Sequence, residues 1–169
     1  MPDSSGLVSI TEGFLYDMLP VNSTVRMAKI TGFQLKNWLE KEMQNVFAKD
    51  PSKRIGGWVI RFEGMQVTFK VYEEFGKRVQ TVVVNGQPLD FHRVYTICAC
   101  EREGDPATML CRIPNVLEAS NSPFSLHDVM KDYLAKNSPV NPVPKGNAKV
   151  LDVSQTLLTQ VFGVDYKFS

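Results

Sequence analysis

The sequence predicts an α+β fold in which mixed or antiparallel sheets are covered by helices. Two observations support this class: a short helical stretch and a strand precede the clearest helix of the chain, and a meander of strand-like segments follows it. The 169 residues are enough to bury a core, and 43% hydrophobic content with 22% charged residues is ordinary for a globular protein. We therefore expect a single domain that spans residues 1–169.

The first part of the chain contains two helical patterns and one strand pattern. Thr11 is a good N-cap for a short helix that Pro20 ends, and residues 24–30 alternate as a strand does. The clearest helix runs from Phe33 to about Ala48, because its apolar side chains recur at 3.6-residue spacing. Its apolar face consists of Leu35, Trp38, Leu39, Met43, Val46 and Phe47. The face expected to contact water consists of Lys36, Glu40, Lys41 and Gln44.

The run GGWVIRFEGMQVTFKVY, residues 56–72, reads as two extended segments, Trp58–Glu63 and Met65–Tyr72, joined at Gly64. A glycine within such a pattern indicates a bulge or the close approach of another backbone. The glycine pair just before Trp58 allows a sharp turn that delivers this large ring to the end of a sheet. The ring is then either a plug of the core or a platform on which a ligand stacks.

The remaining elements follow from turn and capping signals. Residues 78–84 form a strand pattern that ends at Asn85 and Gly86, the strongest short hairpin signal. Val94–Cys100 is apolar without polar alternation, which predicts a central strand. The other predicted segments are polar loops over 101–112 and 115–123, a helix over 126–136 with a capping box of Ser125 and Asp128, an extended connection over 138–145, and a last strand over 150–153.

Charge and hydropathy exclude several classes of partner. The net charge of +1 gives no global attraction to a nucleic acid polymer, so any ligand is bound by local groups. No apolar stretch approaches the roughly 20 residues that span a bilayer, and the N-terminus lacks the pattern of a signal peptide. The turn-rich start of the chain predicts a domain taken from a longer protein.

The usual catalytic signatures are absent from the sequence. It contains no P-loop, GxGxxG, GxSxG or DxD motif, and neither His92 nor His127 has the spacing of a zinc ligand. We expect His92 at the surface and His127 partly exposed at a helix N-terminus. No catalytic and no metal-binding residue is predicted, although an autonomous enzyme that uses cysteines and His92 remains a third possibility.

The three cysteines are too few for a disulfide scaffold. Cys98 and Cys100 lie at spacing two in one strand pattern, so they share a face and form no ordinary local disulfide. We expect buried thiols, with a metal or redox role as the alternative. A bridge from Cys100 to Cys111 remains open if the parent protein is exported.

The order of three motifs resembles the C-terminal domain of the 5'-nucleotidase family. These motifs are SITEGFLYDMLPVNSTVRMAKITGFQLKNWLEKEM, GGWVIRFEGMQVTF and GKRVQTVVVNGQPLDFHRVYTICACEREGDP. The resemblance implies an α/β/β/α layered domain that partners an N-terminal metallophosphoesterase domain with two divalent metal ions. That domain and its metals are absent from this chain, so the isolated chain is expected to be inactive and to need no cofactor. The resemblance also implies that the parent is exported to the periplasm or the cell exterior.

In this family the C-terminal domain stacks a nucleobase between two aromatic rings. By resemblance, Trp58 after Gly57 takes the place of the first ring, while Gly104 and Asp105 correspond to a Gly-Asp pair in the second loop. The family's second ring follows that pair, but this chain continues with Pro106, Ala107, Thr108 and Met109. In this respect it is more similar to the branch that includes the thiosulfohydrolase of bacterial sulfur oxidation.

The predicted function is therefore that of a substrate-recognition domain of a binuclear-metal hydrolase. Its cleft wall would bind a small molecule, a nucleotide or a related phosphorus or sulfur ester. The predicted substrate-binding residues are Gly57, Trp58, Arg102, Gly104 and Asp105. The alternative is a structural or partner-docking domain without a small-molecule ligand.

Overall fold

A computed structural model describes residues 8–56, 61–100, 104–141 and 146–153. Within these ranges the helices are α1 (Glu12–Met18), α2 (Gly32–Phe47) and α3 (Leu126–Asn137). The strands are β1 (Thr24–Thr31), β2 (Met65–Phe69), β3 (Val79–Val84), β4 (Gln87–Pro88), β5 (Val94–Cys100), β6 (Met109–Leu110), β7 (Ile113–Pro114), β8 (Leu117–Ser125) and β9 (Ala148–Val150). Helices and antiparallel or mixed sheets thus occur together, which confirms the α+β class.

The chain divides into two compact units. The first comprises Met1–Leu35 and Asp90–Lys145, and the second comprises Lys36–Leu89 and Gly146–Ser169. Helix α2 begins in the first unit and belongs to the second from Lys36 onward. The assignment of residues 1–169 to one recognition domain stays a prediction.

The first unit contains an antiparallel sheet in the order β5-β1-β8. Strand β1 is central, and its Ala28 and Ile30 are buried. The prediction of a central strand for Val94–Cys100 is wrong for the described sheet, because β5 lies at its edge. Its apolar composition is not matched by burial, since Val94 and Cys98 lie exposed on the same face.

Strand β8 occupies most of the segment that the sequence predicts as a second polar loop, so that prediction is also wrong. The strand pairs with β1, with register shifts between Thr24 and Arg26 and between Met27 and Lys29. Its Asn, Ser and Pro residues are tolerated because an edge strand exposes one backbone side and many side chains to water. Pairing with β1 therefore overrides the local turn preference of the sequence.

Helices α1 and α3 begin where the sequence predicts. The Thr11 hydroxyl accepts a hydrogen bond from the Phe14 N–H at 3.1 Å, and the capping box of Ser125 and Asp128 is complete. His127, in contrast, is buried rather than partly exposed. Its Nε2 lies 2.7 Å from the Leu19 carbonyl oxygen, and its backbone N–H donates to Asn22 Oδ1 at 2.9 Å. These contacts explain the burial, because they join α3 to the chain that follows α1.

The second unit contains a sheet in the order β4-β3-β2-β9. Strands β2 and β3 are antiparallel, and β9 runs parallel to β2. The predicted hairpin after β3 is confirmed, since Asn85 and Gly86 both have positive φ, at 49° and 76°. On the core side, the Phe47 and Phe69 rings stack with their centroids 6.1 Å apart.

The run that contains Trp58 is only partly described, because residues 57–60 lie outside the described ranges. Residues 61–64 are not strand, and β2 begins at Met65, so the predicted strand over Trp58–Glu63 is not seen in its described part. Gly64 has a φ of +82° and no atom within 4 Å of where a Cβ would lie. The glycine therefore serves a left-handed turn rather than the close approach of another backbone.

The carboxylate of Glu40 is buried, which corrects the prediction that it contacts water. It accepts backbone hydrogen bonds from Gly76, Arg78 and Val79, at 3.0, 3.2 and 2.8 Å. The buried Arg78 side chain donates to Gln44 Oε1 and to the Phe47 carbonyl oxygen, at 2.5 and 3.0 Å. This polar cluster ties α2 to the turn that precedes β3.

Candidate functional site

Two of the five predicted substrate-binding residues lie in described segments. Gly104 is exposed and has a φ of +85°, a backbone conformation that favours glycine. Asp105 follows it and is half-buried. Gly57, Trp58 and Arg102 lie outside the described residues, so their predicted roles remain predictions.

The loop that carries Gly104 and Asp105 is held at several points. The Arg26 guanidinium, buried on β1, donates from Nη2 to the Ala107 carbonyl oxygen at 2.9 Å. The Met109 N–H donates to the Pro106 carbonyl oxygen at 2.9 Å, and the Thr108 carbonyl oxygen accepts from Val116 N–H at 3.0 Å. The loop is therefore positioned by the sheet and not only by its own turn chemistry.

Sequence reasoning missed Arg26, although a signal for it exists. Arg26, Ala28 and Ile30 alternate along one strand and share its buried face. A charged residue at a buried strand position requires hydrogen-bond partners, because an unpaired buried charge is costly. An arginine in that pattern thus indicates a nearby loop that offers carbonyl oxygens.

Directly after this loop, a short hairpin of β6 and β7 contains strained backbone. Cys111 and Arg112 connect the two strands with φ values of 51° and 65°. Asn115 and Glu118 also have positive φ, at 56° and 50°. Each such residue other than Gly or Asn costs on the order of 1–3 kcal/mol, and strain of this kind concentrates at functional sites.

The cysteines lie differently from the expectation. Cys98 is exposed, so the prediction of a buried thiol is wrong for this residue, because it lies on the uncovered face of an edge strand. Cys111 is half-buried. The Cys100 side chain lies outside the described structure, and its bridge to Cys111 remains a prediction.

A small polar cleft lies in the second unit, next to Gly64 and the β3–β4 turn. It encloses about 250 Å³. Its polar lining comprises Glu63, Gln66, Asn85 and Asn147. Asn147 Nδ2 donates to the Phe62 carbonyl oxygen at 3.0 Å, which fixes one wall. Amide groups in such a cleft can form hydrogen bonds with a polar ligand.

Two carboxyl groups with lowered pKa values belong to a helix cap and to an ion pair. Hydrogen bonds from the Ser125 hydroxyl and backbone N–H hold the pKa of Asp128 below its ordinary value of 3.8. The pKa of Glu12 is lowered by its hydrogen bond with Lys131, which lies 2.6 Å away. These shifts reflect structural roles, and neither group lies in the loop with Asp105.

The described ranges offer neither a metal-ligand cluster nor a membrane span. No group of three or more His, Cys, Asp or Glu side chains there is arranged to hold a metal ion. No helix in these ranges is long and apolar enough to cross a bilayer. His92 is exposed, as expected, and its N–H donates to Asp90 Oδ1 at 2.9 Å.

Comparison with known families defines the class of this protein. The family model of the 5'-nucleotidase C-terminal domain matches residues 3–101, which is more than half of the chain. The chain therefore belongs to the family of C-terminal domains of 5'-nucleotidase-like hydrolases, as its motifs predict. No individually curated protein sequence matches it.

Solved structures agree with this family. The sulfate thiohydrolase SoxB of Thermus thermophilus is similar over 95% of this chain and 26% of its own, with a TM-score of 0.64 and 25% identity. A 5'-nucleotidase precursor, also from Thermus thermophilus, is similar over 86% of this chain and 28% of its own, with a TM-score of 0.60 and 21% identity. The NAD nucleotidase of Haemophilus influenzae is similar over 86% of this chain and 27% of its own, with a TM-score of 0.63 and 18% identity. The last two show the fold alone, and the chain spans about a quarter of the length of these proteins.

Proposed function

We propose that this chain is the substrate-recognition domain of a two-domain, binuclear-metal hydrolase. The observation that carries the proposal is the family match over residues 3–101, which includes Gly57 and Trp58. Together with Arg102, Gly104 and Asp105, these residues would form the wall of the substrate cleft. The metal ions and the attacking water would belong to an N-terminal metallophosphoesterase domain, and the isolated chain would be inactive.

The anchored loop supports this role. Recognition benefits from groups that are already held in their binding geometry, because less conformational entropy is lost when the ligand binds. Arg26 and the backbone hydrogen bonds of Pro106 and Thr108 hold the segment around Asp105 in this way. The strained residues Cys111 and Arg112 follow in the same segment.

Among the candidate substrates, we favour a sulfur ester over a nucleotide. A nucleobase clamp needs two opposed rings, and residues 104–109, Gly-Asp-Pro-Ala-Thr-Met, contain none. The similarity to the sulfate thiohydrolase, at 25% identity, is in line with this preference. The proposal includes export of the parent protein, in line with the description of one relative as a precursor.

A partner-docking domain without a small-molecule ligand is the second candidate. The observation that favours it is an exposed apolar stripe on α1, which includes Phe14 and Met18. A docking role alone predicts that no small ester binds to the chain.

Tryptophan fluorescence separates these candidates. The chain has two tryptophans, and Trp38 is buried, so the variant Trp38→Phe leaves Trp58 as the only indole reporter. We expect saturable fluorescence changes when this variant is titrated with S-sulfocysteine, and weaker changes with adenosine monophosphate.

Calorimetric titration supplies the second readout. Trp58→Ala should weaken S-sulfocysteine binding by about tenfold, because a ring that contacts the ligand contributes on the order of 1–3 kcal/mol. Tyr72→Ala, at an exposed aromatic elsewhere, is the matched control and should bind normally. Unchanged affinity in Trp58→Ala would rule out the platform, and no binding of either compound would favour the docking domain.

A further inference from the structure

The two-residue turn between β6 and β7 differs in sequence from another turn of the same geometry in this chain. Both turns join antiparallel strands through two residues with positive φ, and asparagine followed by glycine is preferred in such a turn. After β3 these residues are Asn85 and Gly86, with φ values of 49° and 76°. After β6 they are Cys111 and Arg112, with φ values of 51° and 65°. The geometry of the turn therefore does not explain why a cysteine and an arginine occupy it.

The base of the β6–β7 hairpin is fixed by packing and by a side chain of α2. Leu110 and Ile113, which flank the turn, are both buried. Gln34 Nε2 donates to the carbonyl oxygens of Pro114 and Asn115, at 3.2 and 3.1 Å. An unfavourable backbone conformation persists where the surrounding contacts impose it, and such positions concentrate at sites that bind a ligand.

The side chain of Arg112 is the part of this turn that is suited to a charged ligand. It is exposed, whereas Cys111 is half-buried. Among residues 104–116, only Asp105 and Arg112 carry a charge. A guanidinium presents its donors in a planar fork that matches the two oxygens of a carboxylate. The exposed arginine on a fixed backbone therefore suits a carboxylate better than an apolar group.

We propose that Arg112 binds a carboxylate in the part of the substrate that is remote from the reacting sulfur group, and this proposal rests on the proposed function for the class of substrate. In that function the reacting group faces the metal ions of the N-terminal domain, so the recognition domain contacts the rest of the molecule.

The arrangement of charge around the turn supports a substrate of this kind. The hairpin follows directly on the loop that carries Asp105, and the bond from Val116 N–H to the Thr108 carbonyl oxygen, at 3.0 Å, joins loop and hairpin. The Asp105 carboxylate would accept a hydrogen bond from an ammonium group of the substrate, while Arg112 binds the carboxylate. A sulfur ester of an amino acid, such as S-sulfocysteine, carries both groups.

Calorimetric titration with two related sulfur esters tests this role. S-sulfocysteamine has the ammonium and sulfonate groups of S-sulfocysteine but lacks its carboxylate. Arg112→Gln should weaken S-sulfocysteine binding by about tenfold, because a hydrogen-bonded charge pair is lost, and should leave S-sulfocysteamine binding unchanged. Arg93→Gln is the matched control for the loss of one exposed positive charge, since the Arg93 guanidinium lies over the Tyr95 ring. It should bind both compounds as the unaltered chain does.

A glycine variant separates the ligand contact from a role in folding. Glycine adopts positive φ without strain, so Arg112→Gly should not lower the urea concentration at the midpoint of unfolding. It should nevertheless bind S-sulfocysteine about tenfold more weakly. Asn115→Gly, at another exposed residue with positive φ, is the control and should keep both the midpoint and the affinity.

Two results would overturn the proposal and leave the recognition role intact. One is an equal affinity for S-sulfocysteine in the unaltered chain and in Arg112→Gln, with weaker binding in Trp58→Ala. The other is an equal loss of affinity for both esters in Arg112→Gln, because the contact would then not involve the carboxylate. If the unaltered chain binds neither ester, the proposal and the recognition of sulfur esters fail together.

Discussion

At the residue scale, the buried carboxylate of Glu40 joins α2 to the turn before β3 through three backbone hydrogen bonds. It accepts the N–H groups of Gly76, Arg78 and Val79, which lie 36 to 39 positions further along the chain. Its removal leaves these donors without their acceptor in a part of the unit where Arg78 and Val79 are buried.

We expect Glu40→Ala to lower the free energy of unfolding by about 3 kcal/mol, because buried donors left unsatisfied carry a desolvation cost. Glu74→Ala is the matched control, since Glu74 forms an exposed pair with Lys77 and should change stability by less than about 0.5 kcal/mol. Urea unfolding of both variants checks this. If Glu40→Ala has the same free energy of unfolding as Glu74→Ala, the Glu40 carboxylate does not stabilise the fold.

Asp128 provides a pH prediction at the same scale. Its pKa is lowered in the folded chain by hydrogen bonds from Ser125, so its contribution is fully present above the ordinary value of 3.8. The contribution is lost as the pH falls below that value, through the lowered pKa of the folded state. We therefore expect Asp128→Asn to be less stable than the unaltered chain near neutral pH, with the difference closing in stronger acid. Thermal unfolding against pH checks this, and a constant difference would contradict the carboxylate role.

Residue roles were predictable from the sequence only where their partners are close in the chain. Thr11, Ser125 and Asp128 act through neighbours three positions away, and their caps were predicted. Glu40 and Arg26 act through partners far away in the sequence. The sequence pattern therefore predicts that Glu40 contacts water, and it does not identify Arg26. A charge pattern on a helix does not reveal which distant backbone groups need an acceptor.

At the element scale, the start of α2 is built around a glycine. A Cβ on Gly32 would lie 2.1 Å from the Asp90 carbonyl oxygen and 2.9 Å from its carbon. The Gly32 and Phe33 N–H groups also donate to the carbonyl oxygens of Arg93 and Phe91, both at 3.0 Å. The first turn of α2 is therefore joined to residues 90–93 through backbone contacts that leave no room for a side chain.

We expect Gly32→Ala to lower the free energy of unfolding by about 3 kcal/mol or more, because the clash involves backbone that cannot move independently. Gly13→Ala in α1 is the control, since its nearest neighbour would be Thr11 Oγ1 at 3.9 Å. That variant should be neutral or stabilising by up to about 1 kcal/mol, because alanine favours helix. Chemical unfolding checks both, and a neutral Gly32→Ala would contradict the close approach.

Helices and the hairpin were predictable because their signals are local, whereas strand order was not. The Asn85-Gly86 turn needs positive φ at both positions, which these residues tolerate. Strand β8 has the composition of a loop and forms through pairing with β1, and β5 has the composition of a central strand and lies at an edge. Long-range pairing decides both outcomes, and a single sequence does not display it.

At the scale of the whole molecule, family membership and the fold carry the functional proposal. The Gly104-Asp105 pair was located by its resemblance to family motifs, and the structure adds the Arg26 contact that holds the loop. Physical reasoning on the residues alone predicts no catalytic centre, which is consistent with a recognition role beside a separate catalytic domain. The choice between a sulfur ester and a nucleotide rests on the loop composition after Asp105.

Steady-state kinetics of the full-length parent enzyme test the recognition role most directly. The metal content of each variant is verified first. Trp58→Ala and Asp105→Asn should then each raise KM for a sulfur ester by about tenfold and leave kcat unchanged. The reason is that binding groups remote from the reacting atoms stabilise the bound ground state and the transition state equally. Tyr72→Ala should leave both constants unchanged. An unaltered KM in the two site variants, or a parent that lacks residues 1–169 yet retains the same KM, would contradict the recognition role.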